Sequence, residues 1–111
     1  MLALFDKILG NDLITVVKKD HKTGSYIVRL GCLKTAITIQ LTLARSKRTA
    51  FKVSHAVMTT LMKEPYCPPV AFGEDPTHAL FKAIGCLIDP YRDAINARLI
   101  PSENWLVPRQ R

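Results

Sequence analysis

A chain of 111 residues, 48% hydrophobic and 23% charged, can bury a core of its own, and its composition is neither disordered nor fibrous. No run reaches the eighteen or so apolar residues of a membrane span, which argues against integral insertion by a helix. A net charge of +7 points to a polyanionic partner, and the charge is uneven: residues 1–63 hold 11 Lys/Arg against 3 Asp/Glu, residues 64–111 hold 5 against 6.

In chain order, Leu2, Phe5 and Leu9 are spaced for one side of a short N-terminal helix that Gly10-Asn11 stops. LITVVKK (13–19) and SYIVRL (25–30) are short and rich in β-branched residues. The turn chemistry of DHKTGS between them predicts a hairpin with a basic, polar tip. After the break at Gly31-Cys32, TAITIQLTL (35–43) alternates Ile37, Ile39, Leu41 and Leu43 with Thr38, Gln40 and Thr42, the pattern of a strand with one apolar and one polar face. Three strands in this order predict an antiparallel sheet with one face covered by helix.

From Lys47 to Met62 the spacing of Ala50, Val53, Val57 and Leu61 predicts a helix, with Ser46 as its N-cap. On its opposite side Arg48, Lys52, His55, Thr59 and Lys63 form a stripe. EPYCPPVAFGEDP (64–76) is a Pro-rich connection where the sign of the charge changes. Asp75-Pro76 and Asp89-Pro90 each read as an N-cap followed by proline at the first helical position, giving two short helices or one kinked at Pro90. Leu80, Ile84, Leu87, Tyr91 and Ile95 keep an apolar seam across that point, and Ile100-Pro101 ends it. In the tail, Trp105-Leu106-Val107 either folds back onto the core or serves as an exposed anchor for a partner or a second copy.

The fold class that follows is α+β: a short N-terminal helix, a three-stranded antiparallel sheet covered by a helix, and a C-terminal helical segment. The whole of 1–111 reads as one small domain, with a basic αβββα-like part (1–63), the connection (64–76) and a helical part with its tail (77–111).

The cluster ARSKRTAFK (44–52) carries the functional reading. A helix start bears partial positive charge and unpaired N–H groups, so Arg45, Lys47, Arg48 and Lys52 around a Ser46 cap are arranged to hold a phosphate. Lys18, Lys19 and Lys22, with Arg29 and Lys34, come from neighbouring strands and turns and extend the strip along a nucleic-acid backbone. The order helix, three strands, helix, with His21-Lys22 and Tyr26-x-Val28 in the hairpin and Arg45-Ser46-Lys47-Arg48-x-Ala50 opening the next helix, is similar to the double-stranded RNA-binding domain. That resemblance implies phosphate contacts for Lys47, Arg48 and Lys52 and a groove-facing loop at His21. The glycines that precede the basic run in that family are replaced here by Thr42-Leu43-Ala44, and nothing in 64–111 matches it.

Chemistry of other kinds has little support in the sequence. Cys32, Cys67 and Cys86 form no CxxC pair, and none has ligand spacing with His78. There is no nucleophile motif, Gly-rich phosphate loop or pair of acids set for catalysis. The expectation is a cytoplasmic, non-enzymatic nucleic-acid-binding protein with no metal or cofactor, DNA and RNA undecided. The alternative is an adaptor or inhibitor docking an acidic protein, as a homodimer through the tail Trp, and a weaker third reading is attachment to anionic lipid.

Overall fold

The computed structural model describes residues 2–43, 48–63 and 71–108. Helix α1 (Leu2–Leu9) leads into strands β1 (Ile14–Asp20), β2 (Ser25–Leu30), β3 (Ile37–Leu43), β4 (Thr49–Val53) and β5 (His55–Val57). Strand β6 (Phe72–Gly73), helix α2 (Pro76–Asn96), a short 3-10 turn (Glu103–Trp105) and strand β7 (Leu106–Pro108) follow. A five-stranded antiparallel sheet runs β1-β2-β3-β4-β6, and β5 pairs with β7 in a second, two-stranded sheet.

The α+β class and the antiparallel pairing agree with the sequence reading, but the sheet has five strands where three are expected, and the helix predicted from Lys47 to Met62 is replaced by β4 and β5. The physical reason lies in TAFKV itself. Its apolar residues satisfy a helical spacing, but Thr49 and Phe51 also alternate with Ala50 and Lys52, and β-branched and aromatic side chains favour the pleated strand. Pairing decides the matter: Leu41 lies opposite Phe51 and Leu43 opposite Thr49, so β4 satisfies the edge of β3 that a helix would leave open. Without that helix, the αβββα order implied by the resemblance to the double-stranded RNA-binding domain does not hold for this chain.

Ser54 turns the chain out of the large sheet. Its amide donates to Thr38 O (2.9 Å), its hydroxyl accepts from Thr38 N (2.8 Å), and Oγ shares a hydrogen bond with His55 Nδ1 (2.8 Å). His55 therefore opens β5 directly after the bend at Ser54, and the helical stripe expected to include it does not form.

Cover for the sheet comes from α2. Asp75 caps it, with Oδ1 accepting from His78 N at 2.8 Å, and Pro76 stands at the first helical position. One helix of 21 residues then runs through Pro90 instead of stopping there. Ala79, Leu80, Ala83, Ile84, Leu87, Tyr91 and Ala94 are buried along it, and that continuous apolar face offsets the backbone hydrogen bond a mid-helix proline forgoes. Ile95, assigned to the seam from sequence, is instead on the exposed side, and the helix ends at Asn96, before Ile100. Arg98 takes a left-handed conformation (φ 63°) while Arg98 N and Leu99 N return to Ile95 O and Ala94 O, closing the end as a Schellman motif.

The core lies between α2 and one face of the sheet. Tyr26, Val28 and Leu30 of β2, Ile37, Ile39 and Leu41 of β3, and Phe51 of β4 meet Leu80, Ile84, Leu87 and Tyr91. The tail folds back into it: Trp105 is 5% exposed, its ring stands edge-on to Tyr91 at 5.8 Å, and its carbonyl accepts from Met58 N. Glu103 ties the same segment to the β2–β3 connection, Oε2 accepting from Lys34 N and Oε1 from both the amide and hydroxyl of Thr35. The Thr35 hydroxyl, then the Lys34 amide, hold that carboxyl below its usual range. Trp105 is thus part of the fold and is not presented as an anchor for a partner.

Candidate functional site

Strand alternation assigns every residue of the large sheet to one of two faces. Because Tyr26, Val28, Ile37, Ile39 and Phe51 point into the core, Ser25, Ile27, Arg29, Thr38, Gln40, Thr42, Ala50 and Lys52 lie on the other side, and none of these is buried. The register lines them up. One row reads Asp20, Ser25, Gln40, Lys52 from β1 to β4; the next has Lys18 opposite Ile27 opposite Thr38; beyond it Thr15 faces Arg29.

A bulge between Val16 and Lys18 makes this possible, since the extra residue shifts β1 so that Lys18, and not Val17, pairs with Ile27. At the other side of the sheet Ala50 faces Phe72 and Thr49 faces Gly73. Gly73 packs against the first turn of α2, which fixes Phe72 on the side away from the helix.

The open face is therefore polar and basic. Lys18, Arg29 and Lys52 are exposed and have no ion-pair partner among the described residues. Asp20, its one carboxylate among the described residues, is already engaged: Oδ1 accepts from Thr23 N and Lys22 N at the hairpin tip, and these bonds, Thr23 first, hold it below the usual range. Gln40 Nε2 donates to Thr23 O (2.7 Å) and Leu41 O (3.0 Å), which fixes the amide across the middle of the face. A surface of exposed cations and hydroxyls offers an anion charge attraction and hydrogen-bond donors together, while the Gln40 amide, with both N–H groups engaged, leaves Oε1 as an acceptor.

Comparison with protein-family models, with curated proteins and with solved structures finds no match for this chain.

Of the eight residues singled out from sequence, the five among the described residues lie on different parts of the fold. Arg45, Ser46 and Lys47 lie outside the described residues. Lys52 and Lys18 stand on the open face, in β4 and β1, and Arg48 is exposed immediately before β4. Lys22 is exposed at the hairpin tip, within the turn that Asp20 organises.

Lys19 belongs elsewhere. It pairs across from Tyr26 on the helix side of the sheet, and its Nζ meets Asp6 Oδ1 of α1 at 2.8 Å. That hydrogen bond and charge hold Asp6 below the usual carboxylate range. His21, exposed, also lies toward the α1 side, its ring 5.2 Å from Phe5 and its Nδ1 3.0 Å from the Tyr26 hydroxyl, and burial raises the Tyr26 phenol. A groove-facing role for His21 is thus not supported by this geometry.

Gln40 and Phe72 were not singled out from sequence as site residues. Gln40 is visible there as a polar member of an alternating strand. Phe72 has no sequence signal, because it sits in a two-residue strand within the Pro-rich connection.

Among the described residues no three His, Cys, Asp or Glu side chains are grouped to hold a metal ion. Cys32 Sγ lies 3.8 Å from the Tyr91 hydroxyl, and Cys86 is buried in α2. No helix in the described residues is long and apolar enough to cross a membrane.

Proposed function

We propose that the protein binds nucleic acid and that the open sheet face, not a helix start, is the surface that does so. The observation carrying this reading is the row geometry: Lys18, Arg29 and Lys52 are brought from three different strands to one face that no described helix covers, and Asp20, the one carboxylate there among the described residues, is already held by backbone amides. With strands spaced ~4.8 Å and alternate residues ~6.7 Å apart along each, Lys52 and Lys18 are separated by roughly 16 Å, a distance a phosphate backbone bridges. The role is binding and non-catalytic, with no cofactor required.

The test is fluorescence anisotropy of nuclease-treated protein against labelled RNA and DNA over a range of salt. Affinity is expected to fall linearly in log–log form with salt, and Arg29→Glu with Lys52→Glu to lower the slope by about two. Both positions are exposed, so the double variant should keep its melting temperature nearly unchanged. Arg92→Glu with Lys7→Glu, two exposed changes on α2 and α1 that alter the net charge equally, serves as the control and should leave the slope closer to that of the parent. Retention of full affinity by the double variant, or binding of polyglutamate in preference to nucleic acid, would refute the reading and favour an acidic protein partner.

A further inference from the structure

Resting on that proposal, we infer that the occupant of the open face is single-stranded, with one base stacked on Phe72. Three features of the face converge on this. Phe72 is 39% exposed, and it lies on the open side because its neighbour Gly73 is pressed against Ala79 and His78 of α2. Its main chain is pinned: the Phe72 carbonyl accepts from Lys82 Nζ at 2.9 Å, and Ala71 O from Phe51 N at 3.0 Å.

Its position relative to the cations is the second feature. Phe72 is opposite Ala50, one strand and one row from Lys52, roughly 8 Å between α-carbons at ordinary sheet spacings. Alanine at position 50 leaves the space beside the ring open. Rows then descend in one direction from Phe72 through Lys52 and Gln40 to Lys18, a diagonal of roughly 23 Å at those spacings. That length suits on the order of four nucleotides, the lower end of what a small sheet platform holds.

The third feature is what each polymer presents. A duplex turns its phosphates outward and keeps its bases stacked inside, so it would meet the cations but give the ring nothing to touch. A single strand offers both, with the phosphates following the lysines and a splayed base lying on the ring at one end. Gln40 and the hydroxyls of Thr38 and Thr42 lie beneath its middle, positioned for sugars and base edges.

The experiment compares single-stranded and duplex RNA and DNA of equal length, in anisotropy, with the parent protein, Phe72→Ala, Phe72→Leu and Phe72→Tyr. Single strands should bind more tightly than duplex, and Phe72→Ala should weaken them about 5- to 100-fold while leaving the salt slope unchanged, because no charge is removed. Tyrosine, which keeps the π-face, should retain affinity, and leucine, which keeps only the bulk, should not. An oligonucleotide with abasic residues throughout should bind the parent and Phe72→Ala equally. Salt-sensitive binding with no preference for single strands, or with full affinity in Phe72→Leu, overturns the inference and leaves the proposed function standing. Absence of nucleic-acid binding at low salt refutes both.

Discussion

Gly73→Ala is expected to destabilise the protein by roughly 2–3 kcal/mol, at the upper end of what an added methyl group costs in a packed site. A β-carbon at this position would fall 2.2 Å from Ala79 N, 2.6 Å from Ala79 Cα and 2.7 Å from His78 C. All three are main-chain atoms of the first turns of α2, so no rotamer change relieves the overlap. Strand β6 must move away from the helix or the helix start must shift, and either loosens the pairing of Thr49 with Gly73 and of Ala50 with Phe72.

Gly85→Ala is the matched control. There the new methyl group meets nothing nearer than Asp89 Oδ2 at 3.8 Å, within a helix where glycine is the poorer former, so the same substitution should stabilise by about 0.5–1 kcal/mol. Chemical denaturation read by far-ultraviolet circular dichroism gives both values. Equal behaviour of the two variants would mean that β6 does not lie against α2 as described.

Trp105→Ala is expected to cost about 3–5 kcal/mol, the range for removing a large buried aromatic ring. Only six residues follow Trp105 in the sequence, yet its ring stands against Tyr91, its carbonyl takes the amide of Met58, and Leu106 and Val107 beside it pair with Val57 and Ala56. The loss would therefore extend beyond one cavity, because β5 loses the strand that satisfies it. As the only tryptophan, it also reports on the parent protein directly: its emission should be blue-shifted when folded and move to the red in the same transition that circular dichroism follows. A small loss, under about 1 kcal/mol, would show a surface tail and not a core residue.

Much of the first half of the fold can be read in the chain because local pattern and tertiary environment agree there. Ile37, Ile39 and Leu41 alternate with Thr38 and Gln40 and are buried as the alternation requires. Asp20 and Gly24 close the first hairpin with the turn chemistry that DHKTGS announces, Gly24 taking φ +70°. Asp75-Pro76 begins α2 where the cap signal stands.

The reading failed where one stretch fits two periods. Ala50, Val53 and Val57 satisfy a helix, but Thr49 and Phe51 also satisfy a strand, and the choice was made by the free edge of β3, which lies outside the local window. That single error moved the candidate site. A helix would have gathered Arg48 and Lys52 about its start, whereas a strand sends Lys52 to the open face, where Lys18 and Arg29 already lie. The bulge that brings Lys18 to that face, and the two-residue strand that brings Phe72, are set by pairing and leave no mark in composition or spacing.

The most direct test of the central claim, that one face of this sheet holds nucleic acid, is methyl-resolved NMR of isoleucine and threonine side chains during titration with a short single strand at low salt. Ile27, Thr38 and Thr42 report from the open face, while Ile37 and Ile39, adjacent to them in the same strands, report from the core. Progressive shifts are expected at Ile27, Thr38 and Thr42, with little change at Ile37, Ile39, Ile84 or Ile88. Shifts centred on the methyl groups of α2, or none at any of these positions, would contradict that claim.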